Sequence, residues 1–111
     1  MQYMLLIYED DAERVKNMDD WMPHCAAYVE AMRKAGIYLT GDRLRGVETA
    51  TSLRVTDGRT HVVDGPYAEA KEQLGGFHII DVPDLDTALA WAARCPSASR
   101  GAVEVRPVWP T

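Results

Sequence analysis

Six consecutive apolar or aromatic side chains, Tyr3 to Tyr8, follow Gln2 and run straight into Glu9, Asp10 and Asp11. In a strand this run puts Tyr3, Leu5 and Ile7 on one face and Met4, Leu6 and Tyr8 on the other. Such a strand is stable in the middle of a sheet, with cover on both sides. The rest of the chain must therefore supply flanking strands and something to lie over each face. The run has no basic residues before it and is too short to cross a bilayer, so neither a signal peptide nor a membrane span is expected.

One cover is readable directly. Asp19 or Asp20 can cap a helix whose apolar positions Trp21, Cys25, Tyr28, Met32 and Ala35 follow a 3.6-residue period, with Gly36 as its stop. Ile37 to Leu39 then opens a second strand. Thr51 to Asp64 reads as a hairpin, because Asp57-Gly58 tolerates the positive φ angles of a two-residue turn. Counting outward from the turn, Leu53 faces Val62 and Val55 faces Thr60 on a side expected to be buried, while Arg54 faces His61 on a wetter side. Gly75-Gly76 leads into a strand from Phe77 to Val82. A second helix, capped by Asp84 or Asp86, places Leu85, Ala88, Leu89, Ala92 and Cys95 on one face, with Trp91 on its flank, and stops at Pro96. A last strand, Ala102 to Val108, carries a proline suited to an edge.

That order, two βα-type halves sharing one antiparallel sheet, predicts an α+β ferredoxin-like sandwich with both helices on one face. The other face would stay bare, and a bare sheet carrying Tyr, Leu, Ile and Phe is more apolar surface than a soluble monomer tolerates. A homodimer is the natural remedy. With 111 residues, no repeat and no long linker, one domain spanning residues 1–111 is expected.

Seventeen acidic against twelve basic residues give a net charge of −5, which disfavours direct contact with nucleic acid or anionic membranes. Cys25 and Cys95 fall among apolar residues at helical spacing, as reduced thiols of a cytoplasmic protein do. The segment from Asp64 to Gln73 packs four ionisable side chains, tyrosine aside, between two strands, where functional loops concentrate. Asp64 can accept hydrogen bonds from the amides after it, with Gly65 and Pro66 shaping the turn, so a well-made turn and a catalytic carboxylate are both open readings.

The run DGPYAEAKEQLGGFHIIDV in this segment resembles the signature of the YCII-related family, in its DGPF-domain type, with Tyr67 in place of the phenylalanine. The resemblance extends to the opening YMLLIY, to AAYVEAMRKAG with GDRL after it, to LDTALAWAARCP and to VEVRPV. It implies a ferredoxin-like subunit that pairs sheet to sheet into a dimeric α+β barrel. It implies a branch often found with extracytoplasmic-function sigma factors, hence a small-ligand-binding or regulatory module. The motif positions carried over are Asp64, Gly65, Pro66, Tyr67, Glu69, Lys71, Glu72 and Gly75-Gly76. In the related YCII branch a histidine near the start of the first helix, with an aspartate, marks a supposed active site; His24 stands at the comparable place, and Asp42 or Asp64 can orient it.

Asp64, His24 and Glu69 are therefore the candidate catalytic groups, and Tyr67, Lys71, Glu72, Asp42 and Arg43 the candidate ligand contacts. Arg43, Arg45 and Arg54 can clamp an anion as guanidinium forks, or be solvated. His61 and His78 share no metal-ligand spacing with His24, and Gly75-Gly76 lacks the surroundings of a phosphate loop. Its purpose is close backbone packing. No metal or cofactor is expected, and no serine or cysteine is placed as a nucleophile. Three readings remain: a small-ligand-binding or regulatory module, an acid–base isomerase or lyase acting without cofactor on a small polar or aromatic molecule, and a dimerisation scaffold with no pocket.

Overall fold

The computed structural model describes residues 1–111. Its main sheet has four antiparallel strands. β1 (Gln2–Asp10) lies between β5 (Glu72–Asp81) and β6 (Ala102–Pro107), and β2 (Tyr38–Arg43) flanks β5 on the far side. The hairpin β3 (Thr51–Thr56) and β4 (Arg59–Asp64) forms a separate two-stranded sheet. Without the hairpin, the strand order is that of a ferredoxin-like α+β sandwich. The doubly apolar strand is central and Pro107 falls on an edge strand, as the sequence predicts.

Register decides which side chains meet the helices. Tyr3 pairs with Ile80 and Leu5 with His78, while Met4 pairs with Ile79 and Leu6 with Phe77. Tyr3, Leu5 and Ile80 are buried together with Tyr28 and Met32 of α2 (Met18–Lys34) and with Ala88, Ala92 and Cys95 from α3 (Leu85–Ala93) and the turn after it. Both helices therefore cover the Tyr3 face. Met4, Leu6, Phe77 and Ile79 contribute nothing to that core and stay partly exposed. No helix is long and apolar enough to cross a membrane.

Several elements differ from the sequence reading. A short helix, α1 (Asp11–Lys16), precedes α2, capped by the Asp10 carboxylate accepting from the Glu13 amide at 3.1 Å. Its six residues hold too few apolar positions for a period to register. α2 begins at Met18, ahead of the expected aspartate caps, and ends at Lys34, two residues before Gly36, whose φ of 75° only glycine adopts easily. β5 begins at Glu72 rather than Phe77 because Gly75-Gly76 interrupts the apolar pattern without interrupting the ladder. Ile7 pairs with Gly76 and Tyr8 with Leu74, so Gly75 is the extra residue of a β-bulge. The close packing expected of the glycine pair is present: a Cβ on Gly75 would come within 2.7 Å of Arg14 Nε, and one on Gly76 within 2.9 Å of the Asp42 carbonyl.

The hairpin has the predicted turn and register, with Asp57 at φ 53° and Gly58 at 74° and Leu53 opposite Val62. Its apolar side, expected to be buried, is not: Leu53, Val55 and Val62 are 60%, 63% and 60% exposed. Neither hairpin strand pairs with the main sheet, and the base is held by the Gly65 amide on the Ala50 carbonyl and the Ser52 hydroxyl on the Gly65 carbonyl, each at 2.8 Å. In α3, Asp84 caps as expected, and Ala88, Ala92 and Cys95 turn inward. Leu85 and Leu89 fall outside the core. Pro96 opens a short 3₁₀ turn rather than directly ending the helix at Ala93.

Candidate functional site

A cleft of about 290 Å³ opens between the helix-covered face of the sheet and the N-terminal half of α2. Its floor comes from β1, β2 and β5, through Ile7, Tyr38, Gly41, Gly76 and His78; Trp21, Cys25 and Tyr28 of α2 form a wall. Arg14 of α1 and the Cys95–Ser97 and Arg100 segment close its sides. The space exists because the strand positions facing α2 here include Gly41 and Gly76, where a side chain would otherwise fill it.

His78 is the chemically singular group. Its ring packs edge-on to Tyr28, with centroids 5.7 Å apart, and tilted against Tyr38 at 5.8 Å. Its Nδ1 is the one buried side-chain nitrogen or oxygen without a hydrogen-bond partner. An orphaned buried polar atom costs about 1–3 kcal/mol, so folds rarely keep one without use. Burial also pushes the imidazole below its ordinary pKa of 6.5, which leaves it neutral at physiological pH. Gly41 is opposite His78 in the β2–β5 ladder, and a Cβ there would lie 2.6 Å from His78 Nδ1 and 2.9 Å from the Tyr38 hydroxyl. Both polar atoms thus lie against Gly41, and with the Phe77 carbonyl 2.5 Å from the same point only a glycine fits there. Burial raises the Tyr38 pKa, against the pull of nearby Arg33, so its hydroxyl keeps its proton.

The charged lining is mostly committed. Glu9, 4% exposed, accepts from Arg100 Nε at 3.0 Å, and that guanidinium lies 3.8 Å over the Trp21 ring. Arg14 pairs with Asp11 at 3.2 Å and donates to the carbonyls of Leu44 at 2.9 Å and Arg45 at 3.3 Å. Arg33 sits 5.3 Å over the Tyr38 ring, and neither it nor Arg43 has a carboxylate partner. Burial raises the Cys95 thiol pKa, which keeps it protonated and unreactive.

Of the residues singled out in sequence, Asp42 and Arg43 line this cleft. His24 lies on the exposed side of α2, one residue from Cys25, which does line it. Asp64, Glu69 and Lys71 are exposed and do not line this cleft, and the Asp64 carboxylate accepts no hydrogen bond from the amides after it. Tyr67 and Glu72 border a second concavity, of about 530 Å³, with Tyr8, Leu74 and Pro66. Tyr67 is 71% exposed there, stacked under Arg54 and accepting its Nη2 at 2.5 Å. Gln73 closes the loop by donating to the Ala68 and Ala70 carbonyls, both at 2.9 Å. The structure brings none of these together with His24.

His78 escaped the sequence reading although its face was legible. It alternates with Ile80, and the doubly apolar β1 already marks a sheet with two covered faces. What sequence does not supply is the register that sets Gly41 and Tyr38 beside it.

The fold matches that of 5-chloro-2-hydroxyhydroquinone dehydrochlorinase from Burkholderia phenoliruptrix AC1100, solved in complex with 2,5-dihydroxybenzoquinone, with a TM-score of 0.54 and 15% sequence identity over 98% of this chain and 94% of that one. An uncharacterized protein of Rhizobium meliloti (strain 1021) is 38% identical, over 97% of this chain and 92% of its own length. The model of the YCII-related domain matches residues 1–111, and the chain belongs to the YCII-related family.

Proposed function

We propose that the cleft around His78 is an acid–base site for a small molecule, and that the subunit works as a homodimer paired through its open sheet face, in a dimeric α+β barrel. The buried, unpartnered Nδ1 of His78 carries the first part of this reading. A neutral imidazole in the floor of a cleft is a general base able to take a proton, and the protonated Tyr38 hydroxyl, beside the same glycine, can donate to the oxygen on which charge develops. The fold-level neighbour, a dehydrochlorinase bound to a small quinone, supports the reading by analogy only. A regulatory module accompanying sigma-factor-type transcription control would use the same cleft as a sensor. The orphaned His78 nitrogen favours chemistry over sensing.

Surface area supports the dimer. The chain exposes 7584 Å², whereas a compact monomer of 12.4 kDa exposes about 6,100 Å². Its radius of gyration is 15.5 Å, against about 13 Å for a compact domain of this length. The excess is of the size that a stable subunit interface covers.

The test is a thermal-shift screen of small organic molecules against wild type, His78→Asn and Asp64→Asn. Compounds that stabilise wild type should lose their effect in His78→Asn and keep it in Asp64→Asn. The opposite pattern would return the site to the loop after the hairpin.

A further inference from the structure

We infer that the molecule this cleft takes is a small aromatic anion: one ring bearing an ionised carboxylate. The inference rests on the cleft being a small-molecule site and names what enters it.

Charge comes first. Four arginines border the cleft, Arg14, Arg33, Arg43 and Arg100, in a protein whose net charge is −5. Its acidic lining is Glu9 and Asp42, and Glu9 is consumed by Arg100. In the β2–β5 ladder Gly41 pairs with His78 and Arg43 with Gly76, both on the helix-covered face, whereas Asp42 pairs with Phe77 on the other. Alternation turns the Asp42 side chain towards that other face, although its charge still reaches the Tyr38 hydroxyl. Two lining arginines, Arg33 and Arg43, against one lining carboxylate, Asp42, therefore remain without an ion-pair partner. A guanidinium fork suits a carboxylate in two-point contact.

Shape comes second. Trp21, Tyr28, Tyr38 and His78 give the walls and floor flat faces, and about 290 Å³ is room for a substituted ring. Gly41 and Arg43 are two residues apart on one strand, about 6.6 Å of rise. Arg43 and the Gly41–His78 pair are thus neighbours on one face of the ladder, close enough for a single substituted ring to meet both. A ring held at Arg43 presents its far side to His78.

The experiment titrates ¹⁵N-labelled protein with benzoate, its neutral isostere benzamide and its cationic analogue benzamidinium, following the His78 ring signals. Benzoate should shift them saturably, benzamide should bind at least tenfold more weakly, and benzamidinium should leave them unmoved. Arg43→Gln should weaken benzoate about tenfold without changing benzamide. Arg106→Gln, an exposed arginine paired with Glu104, should change neither. If benzamide binds as tightly as benzoate, or Arg43→Gln leaves benzoate unaffected, the anion is wrong while the cleft stands. If none of the three probes moves His78, both the anion and the small-molecule reading of the cleft fall.

Discussion

At the scale of single residues, the proposed function turns on one imidazole and the glycine opposite it. Because His78 is held below its ordinary pKa by burial, the unfolded chain binds its proton more readily than the folded one. The neutral His78 therefore contributes stability that is fully present above the unfolded pKa of about 6.5 and is lost as pH falls from there through the lower folded value. Urea denaturation across pH 7 to 4 should show this loss in wild type, and His78→Phe should remove that share of it. An identical pH dependence in the two proteins would mean that His78 is not desolvated. Gly41→Ala is the complementary probe. Its new Cβ would lie 2.5 Å from the Phe77 carbonyl and 2.6 Å from Nδ1, so the β2–β5 ladder must shift as well as the ring, at a cost of about 1–3 kcal/mol, and small-molecule stabilisation should disappear from the destabilised protein. Thermal melts with and without a screening hit check both parts. Neither residue stands out in sequence. His78 follows the strand alternation and Gly41 reads as punctuation; only the ladder makes them a pair.

At the scale of elements, the sequence shows strands and long helices well and fails where a pattern is short or interrupted. The hairpin register was readable because Asp57-Gly58 fixes the turn and a period of two fixes everything after it. The α3 cap was readable from Asp84, whose carboxyl is held below the usual range by hydrogen bonds from Thr87. α1 was not, although it supplies Arg14, the side chain that ties the end of β2 to the bulge in β5. Arg14 is buried, reaches two carbonyls of the Leu44–Arg45 segment and stacks into the space left by Gly75. Replacing it with Ala leaves those carbonyls and the Asp11 carboxylate without their donor, so Arg14→Ala should destabilise by about 2–4 kcal/mol. Urea unfolding measures it, and a loss under about 1 kcal/mol would mean that water takes over the arginine's bonds.

At the scale of the whole molecule, the unexpected feature is how much apolar surface the chain leaves uncovered. The molecule is a slab of 46 × 38 × 18 Å, with core on one side of the sheet and Met4, Leu6, Phe77 and Ile79 on the other. The hairpin adds Leu53, Val55 and Val62, more than half exposed on a two-stranded ribbon that would be marginal in water alone. The alternation that made this ribbon look buried was sound as physics. It asks for a partner surface that a single chain does not contain. In the proposed homodimer a second copy would supply one, and the expected outcome is a species of about 25 kDa in sedimentation equilibrium, twice the chain's 12.4 kDa. Leu6→Glu, at the centre of the open face, should reduce that mass to the single-chain value because a carboxylate cannot be buried there unpaired. Hydrogen exchange then separates the two apolar surfaces. If the partner covers the ribbon as well as the sheet, amides of β3 and β4 should be protected in wild type and exchange freely in Leu6→Glu. Equal, fast exchange in both proteins would confine the interface to the sheet, and a wild type that sediments at the mass of one chain would overturn the dimer altogether.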